Sequence, residues 1–128
     1  MSPQARRALV DRYIEAYNRF DIDGMLQTLH PDIAFRNLSG GTETARADGL
    51  PALRALAVQS AALFAERRQQ VVDFTCHGDD AAEAAIEFSA RLAIDLPDGP
   101  RRGEQLKLRG RSEFRFSDGA IVAITDFS

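Results

Sequence analysis

Arg12-Tyr13-Ile14-Glu15-Ala16-Tyr17-Asn18-Arg19-Phe20-Asp21-Ile22-Asp23-Gly24-Met25-Leu26, continued by Leu29-His30-Pro31-Asp32-Ile33-Ala34-Phe35-Arg36-Asn37, is the stretch whose reading decides the fold. Leu9, Tyr13, Ala16, Tyr17 and Phe20 recur at helical spacing and form one apolar stripe, with Asp11, Arg12, Glu15 and Arg19 mostly off it. Ser2 is placed to cap this helix and Pro3 suits its first position. Asp21 caps a short second helix carrying Ile22, Met25, Leu26 and Leu29, and Pro31 is expected to end it, because proline pushes the preceding residue out of helical geometry. His30 then sits at a helix end, where the dipole favours a cation. From Ile33 to Leu38 the residues alternate, with Ile33, Phe35 and Asn37 on one face.

Working outward, Ser39-Gly40-Gly41 is a turn and Thr42 to Asp48 a short strand. Gly49-Leu50-Pro51 leads into a helix to about Arg67, with Leu53, Leu56, Ala57, Ser60, Leu63 and Phe64 along one stripe. The remainder reads as sheet: Gln70 to His77, Ala82 to Leu96, Gln105 to Phe116 and Ala120 to Phe127, separated by Gly- and Asp-rich turns. In the two long strands Ile86, Phe88, Ala90, Leu92 and Ile94 share one face, as do Leu106, Leu108, Gly110, Ser112, Phe114 and Phe116. Glu83, Glu87 and Asp95, and Lys107, Arg109, Arg111 and Arg115, fall on the other. This predicts an apolar face covered by helices and an outer face carrying cross-strand ion pairs. Cys76 shares parity with Val72 and Phe74 and reads as a small core residue.

A chain of 128 residues, 45% hydrophobic, is enough for one domain over 1–128 with its own core. A net charge of −3 and a pI near 5.3 argue against a nucleic-acid binder, which needs a basic field. One cysteine gives neither an intrachain disulfide nor a thiolate cluster. His30 and His77 have no matching carboxylate spacing, so no metal site is expected. No glycine-rich phosphate loop is present, so no cofactor is expected either. No run approaches the roughly 20 apolar residues of a membrane span. The N-terminus lacks a signal peptide's apolar core, so the expectation is a cytoplasmic protein without a membrane partner.

Two helices, an early strand pair enclosing a third helix, then a long antiparallel meander: this resembles the NTF2-like (cystatin-like) superfamily and its SnoaL-like branch. The residues that carry the resemblance are Arg12-Tyr13-Ile14-Glu15, Phe20-Asp21-Ile22-Asp23-Gly24-Met25, His30-Pro31-Asp32-Ile33-Ala34-Phe35, Asp48-Gly49-Leu50, Phe114-Arg115-Phe116 and Ile124-Thr125-Asp126-Phe127. The resemblance implies an α+β cone, with N-terminal helices packed on a curved, largely antiparallel sheet around an apolar pocket. It also implies a homodimer formed through the sheet. It does not fix an activity, since the superfamily hosts isomerases, hydrolases, cyclases and non-enzymatic modules.

Two catalytic sets of such proteins are incomplete here. The ketosteroid isomerase set uses a helix tyrosine, a strand aspartate base and a later protonated aspartic acid. Tyr13 matches the first, Asn37 falls at the base and Ser112 at the acid, and an amide cannot take up a proton at useful pH. The limonene-epoxide hydrolase set keeps Asn37 and Asp126, but its tyrosine position is Phe35, and its arginine and second aspartate fall near Phe88 and Ala90. The SnoaL-type cyclases, which use a late aspartate as acid/base, leave Asp126 as the comparable residue.

The expected pocket is therefore lined by Tyr13, Tyr17, Met25, Phe35, Asn37, Phe64, Phe88, Ser112, Phe114 and Asp126, and would take a small apolar molecule, cyclic or aromatic. In the catalytic reading Asp126 is the acid/base, Tyr13 donates to a developing oxyanion and Asn37 orients substrate or water. Asp126 alternates with Val122 and Ile124, but Ile121, Ala123 and Phe127 are apolar too, so the other parity would leave it solvated. If it faces the pocket, Tyr13, Asn37 and Asp126, with Ser112, should form a polar cluster whose carboxyl titrates high. The alternative is a dimeric, non-catalytic module whose cavity is closed by Phe35, Phe64 and Phe114. An open cavity of a few hundred Å3 separates the two readings.

Overall fold

The computed structural model describes residues 1–128. Helix α1 (Pro3–Asn18) begins where the Ser2 hydroxyl accepts a hydrogen bond from the Ala5 amide at 3.0 Å. Phe20, at a positive φ of 59°, turns the chain into α2 (Ile22–Leu26), whose start is held by the Asp21 carboxylate accepting from the Gly24 amide at 2.9 Å. Strand β1 (Leu29–Ser39), β2 (Thr42–Asp48), α3 (Leu50–Ala61), β3 (Phe64–His77), β4 (Ala81–Leu92), β5 (Gln105–Ser117) and β6 (Ala120–Phe127) follow. They build one six-stranded sheet in the order β2-β1-β6-β5-β4-β3, antiparallel except for the parallel β1–β6 pair. The helices cover its concave face, giving the α+β cone that the resemblance implies.

Several boundaries differ from the sequence reading. Pro31 does not end a helix: α2 stops at Leu26, and Leu29 already pairs with Ile121, so His30 and Pro31 belong to β1. Proline is tolerated there because β1 does not use its absent N–H where the register with β6 breaks, between Leu29 and Ala34. His30 is consequently not at a helix terminus; its Nε2 lies 3.2 Å from an Asp118 carboxylate oxygen. Helix α3 ends at Ala61 rather than near Arg67, and Phe64 to Arg67 open β3. Strand β4 stops at Leu92, which leaves Ile94 outside the sheet and 41% exposed.

Two bulges in β3 reset its faces. Phe64 pairs with Leu92 but Glu66 with Arg91, and Val71 pairs with Ile86 but Asp73 with Ala85. Each extra residue reverses the alternation. Phe64, Arg67, Gln69, Val71, Phe74 and Cys76 therefore turn inward, and Val72, expected on the face of Cys76, turns out to 52% exposure. The outer face carries the expected ion pairs, Arg111–Glu83 at 3.2 Å and Arg109–Glu87 at 3.4 Å.

The core, centred on Val10, Tyr13, Ile14, Leu29, Ile33, Phe114, Phe116, Ile121 and Ile124, fills the deep end of the cone. At the other end α1 is fixed to β3. The Asn18 side chain donates to the Gln69 carbonyl at 3.0 Å and accepts from the Gln69 amide at 2.7 Å, replacing a sheet partner. Gly49, at φ 86°, makes the turn into α3 and donates to the Ile33 carbonyl at 2.7 Å.

Gly110 in β5 has no room for a side chain: a Cβ there would run into the Phe127 carbonyl oxygen, a backbone atom that cannot swing away. Gly110→Ala is expected to lower stability by about 1–3 kcal/mol, as overpacking does. Urea unfolding followed by circular dichroism checks this, and an unchanged midpoint would contradict it.

Candidate functional site

Register across the sheet sets the site. Asn37 of β1 pairs with Asp126 of β6, Asp126 with Ser112 of β5, and Ser112 with Ala84 of β4. Three polar side chains thus stand in one row on the concave face. The next row towards the closed end is Phe35, Ile124, Phe114 and Ala82, and it belongs largely to the core. The rows towards the mouth contain Gly110 with Ile86, and then Leu108 with Phe88.

These rows, α1 and α3 enclose a cavity of about 430 Å3, large enough for a small cyclic molecule. Tyr13, Tyr17, Met25, Phe35, Asn37, Phe64, Phe88, Ser112 and Asp126 all line it, as expected from the sequence. Phe114 does not. It is 2% exposed and packed in the core one row deeper, because the row of Ser112 and Asp126 forms the floor of the cavity. Phe64 and Phe88 meet edge to face, with ring centroids 5.7 Å apart, so they form wall rather than plug.

Asp126 settles its parity with Ile124, facing inward. Its Oδ1 accepts a hydrogen bond from the Ser112 hydroxyl at 2.6 Å. Protein surrounds the carboxyl, and what surface it keeps opens on the cavity. Burial is the cause that pushes its pKa up, to about 6, and the Ser112 bond pulls partly the other way. Burial also raises the Tyr13 hydroxyl far above the usual phenol range, with the Asp126 charge adding to the shift. The Tyr17 hydroxyl moves the same way, again mainly through burial.

The expected four-member cluster forms only in part. Ser112 and Asp126 are bonded, and Asn37 stands beside Asp126, but its amide turns to the other side. Nδ2 donates to the Thr44 hydroxyl at 2.8 Å and to the Ser39 hydroxyl at 3.4 Å. The cause is an extra residue in β2: Asn37 pairs with Ala45 and Leu38 with Glu43, which leaves Thr44 bulged towards Asn37. Tyr13 makes no direct hydrogen bond to Asn37 or Asp126. Its hydroxyl faces the same space as the carboxyl without being tied to it.

Arg67 is the lining residue that the sequence reading missed, having placed it at the end of a helix. It is 5% exposed, its Nε donates to the Tyr17 carbonyl at 2.8 Å, and its guanidinium lies 3.7 Å from the Tyr17 ring centroid and 4.4 Å from that of Phe20. Gln69, Leu53, Leu56 and Ser60 complete much of the remaining wall. No group of three or more His, Cys, Asp or Glu side chains comes together anywhere in the chain, so the site offers no ready metal-ligand set. No helix is long and apolar enough to cross a membrane.

The fold has many solved counterparts. A candidate polyketide cyclase from Xanthomonas campestris is 27% identical, with a TM-score of 0.70 over 99% of this chain and 93% of that one. A candidate SnoaL-like polyketide cyclase from Jannaschia is 16% identical, with a TM-score of 0.81 over 99% and 88%. AclR from Streptomyces galilaeus, a candidate hydroxylase, is 22% identical, with a TM-score of 0.77 over 98% and 89%. No curated protein matches the sequence. The family of the SnoaL-like domain matches residues 10–124, nearly the whole chain, and the protein belongs to that family.

Proposed function

We propose that this protein binds a small, largely apolar cyclic or aromatic molecule in the cone and moves a proton on it, as a cyclase or isomerase does. The observation that carries this reading is Asp126: a single carboxyl on the floor of an apolar cavity, hydrogen-bonded by Ser112 and pushed up to about 6. A carboxyl poised near neutrality is ionised often enough to take a proton and basic enough to hold it. Burial keeps the Tyr13 hydroxyl protonated at all working pH values, so it has a proton to donate, and an enolate oxygen forming above Asp126 is an acceptor it suits. Asn37, anchored through Thr44 and Ser39, orients the ligand rather than taking part in proton transfer. The likeness to candidate polyketide cyclases supports the same class of substrate. An open cavity favours this reading over a module with a filled pocket.

Proton abstraction is testable with a simple bicyclic ketone. Wild-type protein is expected to accelerate deuterium exchange at the α-carbon of 2-tetralone in heavy water, read by proton NMR. The rate should rise with pH through about 6 and then level off, as Asp126 ionises. Asp126→Asn should lose roughly 100-fold or more, the low end of what a positioned base supplies. Exchange no faster than in buffer would leave a binding module.

The same residue has a stability signature. Its folded pKa lies above the ordinary 3.8, so the fold penalises the charged form. The penalty is absent below about pH 4 and is felt in full once pH has risen through about 6. Asp126→Asn, whose side-chain oxygen can still accept from Ser112, is therefore expected to stabilise the protein by about 3 kcal/mol at pH 7.5. The gain should vanish near pH 4. Urea unfolding at both pH values checks this, and a variant less stable at pH 7.5 would contradict it.

The proposed assembly is a homodimer through the outer face of the sheet. Val72, 52% exposed on the outer face of β3, leaves apolar surface for a partner beside the arginine–glutamate pairs. Light scattering at high micromolar protein and moderate salt is expected to give twice the chain mass. A monomer under those conditions would contradict the assignment.

A further inference from the structure

Most arginines of this chain have an acidic partner. Arg7 pairs with Asp11, Arg36 with Glu43, Arg46 with Asp48, Arg54 with Asp23, Arg109 with Glu87 and Arg111 with Glu83. These are surface pairs. Two arginines are buried instead, and neither has a carboxylate. Arg6, 3% exposed, lies away from the cavity: Nη1 donates to the Gly78 and Ala81 carbonyls at 3.1 and 2.7 Å, tying α1 to the β3–β4 turn, while its Nε is buried without a partner.

Arg67 differs in its place and in making one hydrogen bond where Arg6 makes two. One nitrogen, Nε, is used by the Tyr17 carbonyl, while Nη2 is buried without any hydrogen-bond partner. The residue stands in the wall of the cavity, and the Tyr17 and Phe20 rings fix the plane of its guanidinium. An uncompensated buried cation is costly, and the rings supply only part of what a carboxylate would. With Nε occupied and Nη2 sealed in the wall, Nη1 is the nitrogen that keeps accessible surface and no partner, and it is the one placed to meet an anionic acceptor. Arg67 also lies far along the strands from Asp126. In β3 it is separated from Phe74, which stands in the row of Ser112, by the Gln69–Phe88 and Val71–Ile86 pairs. The cavity therefore has a carboxyl at one end and a guanidinium at the other, with Ile86 and Phe88 among the side chains between.

We propose that Arg67 is an anion-binding subsite, and that the ligand carries an ionised oxygen group, a carboxylate or a delocalised enolate, at the end of an apolar ring system. This rests on the reading of the cone as a binding site for ring compounds and adds the charge that such a ligand bears. The anion accepts from Nη1 of Arg67 while the rings lie against Phe64, Phe88 and Leu56. The part of the ligand remote from the anion is then the part presented to Asp126.

The test uses two probes of equal ring size, 2-naphthoate and the neutral 2-naphthylmethanol, with binding measured by calorimetry at about pH 5.5. There the probe acid is ionised while Asp126, raised to about 6, is largely neutral and repels it little. Wild-type protein is expected to bind the naphthoate at least about tenfold more tightly, the effect of a charge-assisted hydrogen bond. Arg67→Gln should lose that preference and keep its affinity for the alcohol within about twofold. Because Arg67 also holds the Tyr17 carbonyl, this variant could unfold; the wild-type preference alone then decides. Equal affinity of the wild type for both probes, or a preference that survives in Arg67→Gln, would overturn the subsite and leave the ring-binding reading standing. Binding of neither probe would overturn both.

Discussion

A carboxyl withdrawn from water at the floor of an apolar cone is the constraint on which the rest of this structure depends. Asp126 sits there because β6 runs parallel to β1 and antiparallel to β5, so that residue 126 falls between Asn37 and Ser112 in one row. Its only protein hydrogen bond comes from Ser112. Burial without a cationic partner disfavours its charge, which is why the carboxyl titrates near neutrality rather than in the ordinary aspartate range. A sequence selected for stability alone would place an amide or an aliphatic residue there. Retaining the acid fits the general pattern in which strain and desolvation concentrate at sites that do chemistry.

The cone is held open by polar contacts at its wide end rather than by apolar packing. Asn18 takes the place of a strand neighbour for Gln69, and Arg67 reaches the last turn of α1 through the Tyr17 carbonyl. These contacts fix the helix to β3 without filling the space beneath it. At the narrow end Phe114, Ile33, Ile121 and Ile124 do fill the space, and the cavity begins where that packing stops. The same division explains why Tyr13 and Tyr17, one turn apart on α1, both face the cavity, whereas Val10 and Ile14 pack below it.

Much of this was legible in the sequence. Alternation in β1, β4 and β5 gave the inward faces, and the helical stripe through Tyr13 and Tyr17 gave the helix that roofs them. Asn37 and Ser112 were found on inward parity, whereas both parities of β6 are apolar and left the facing of Asp126 open. What could not be read were features that depend on counting residues against a partner strand. The bulge after Phe64 turns Arg67 inward, yet the run Glu66-Arg67-Arg68-Gln69-Gln70 looks like the polar end of a helix, because a bulge leaves no mark in polar sequence. The bulge at Thr44 likewise redirects the Asn37 amide, so the pairing of Asn37 with Asp126 that parity suggested is one of position and not of hydrogen bonding. Pro31 was misread for a related reason: proline signals a boundary, and here the chain passes it inside a strand where the ladder is already interrupted.

The measurement that bears most directly on this account is the titration of the Asp126 carboxyl itself, followed by carbon-13 NMR of aspartate-labelled protein and assigned by comparison with Asp126→Asn. The account predicts a midpoint near 6, well apart from the surface aspartates, with a carboxyl resonance that shifts when an aromatic ring compound is added. A midpoint in the ordinary range near 4 would mean that water reaches the carboxyl freely, and the floor of the cone would then hold no acid/base.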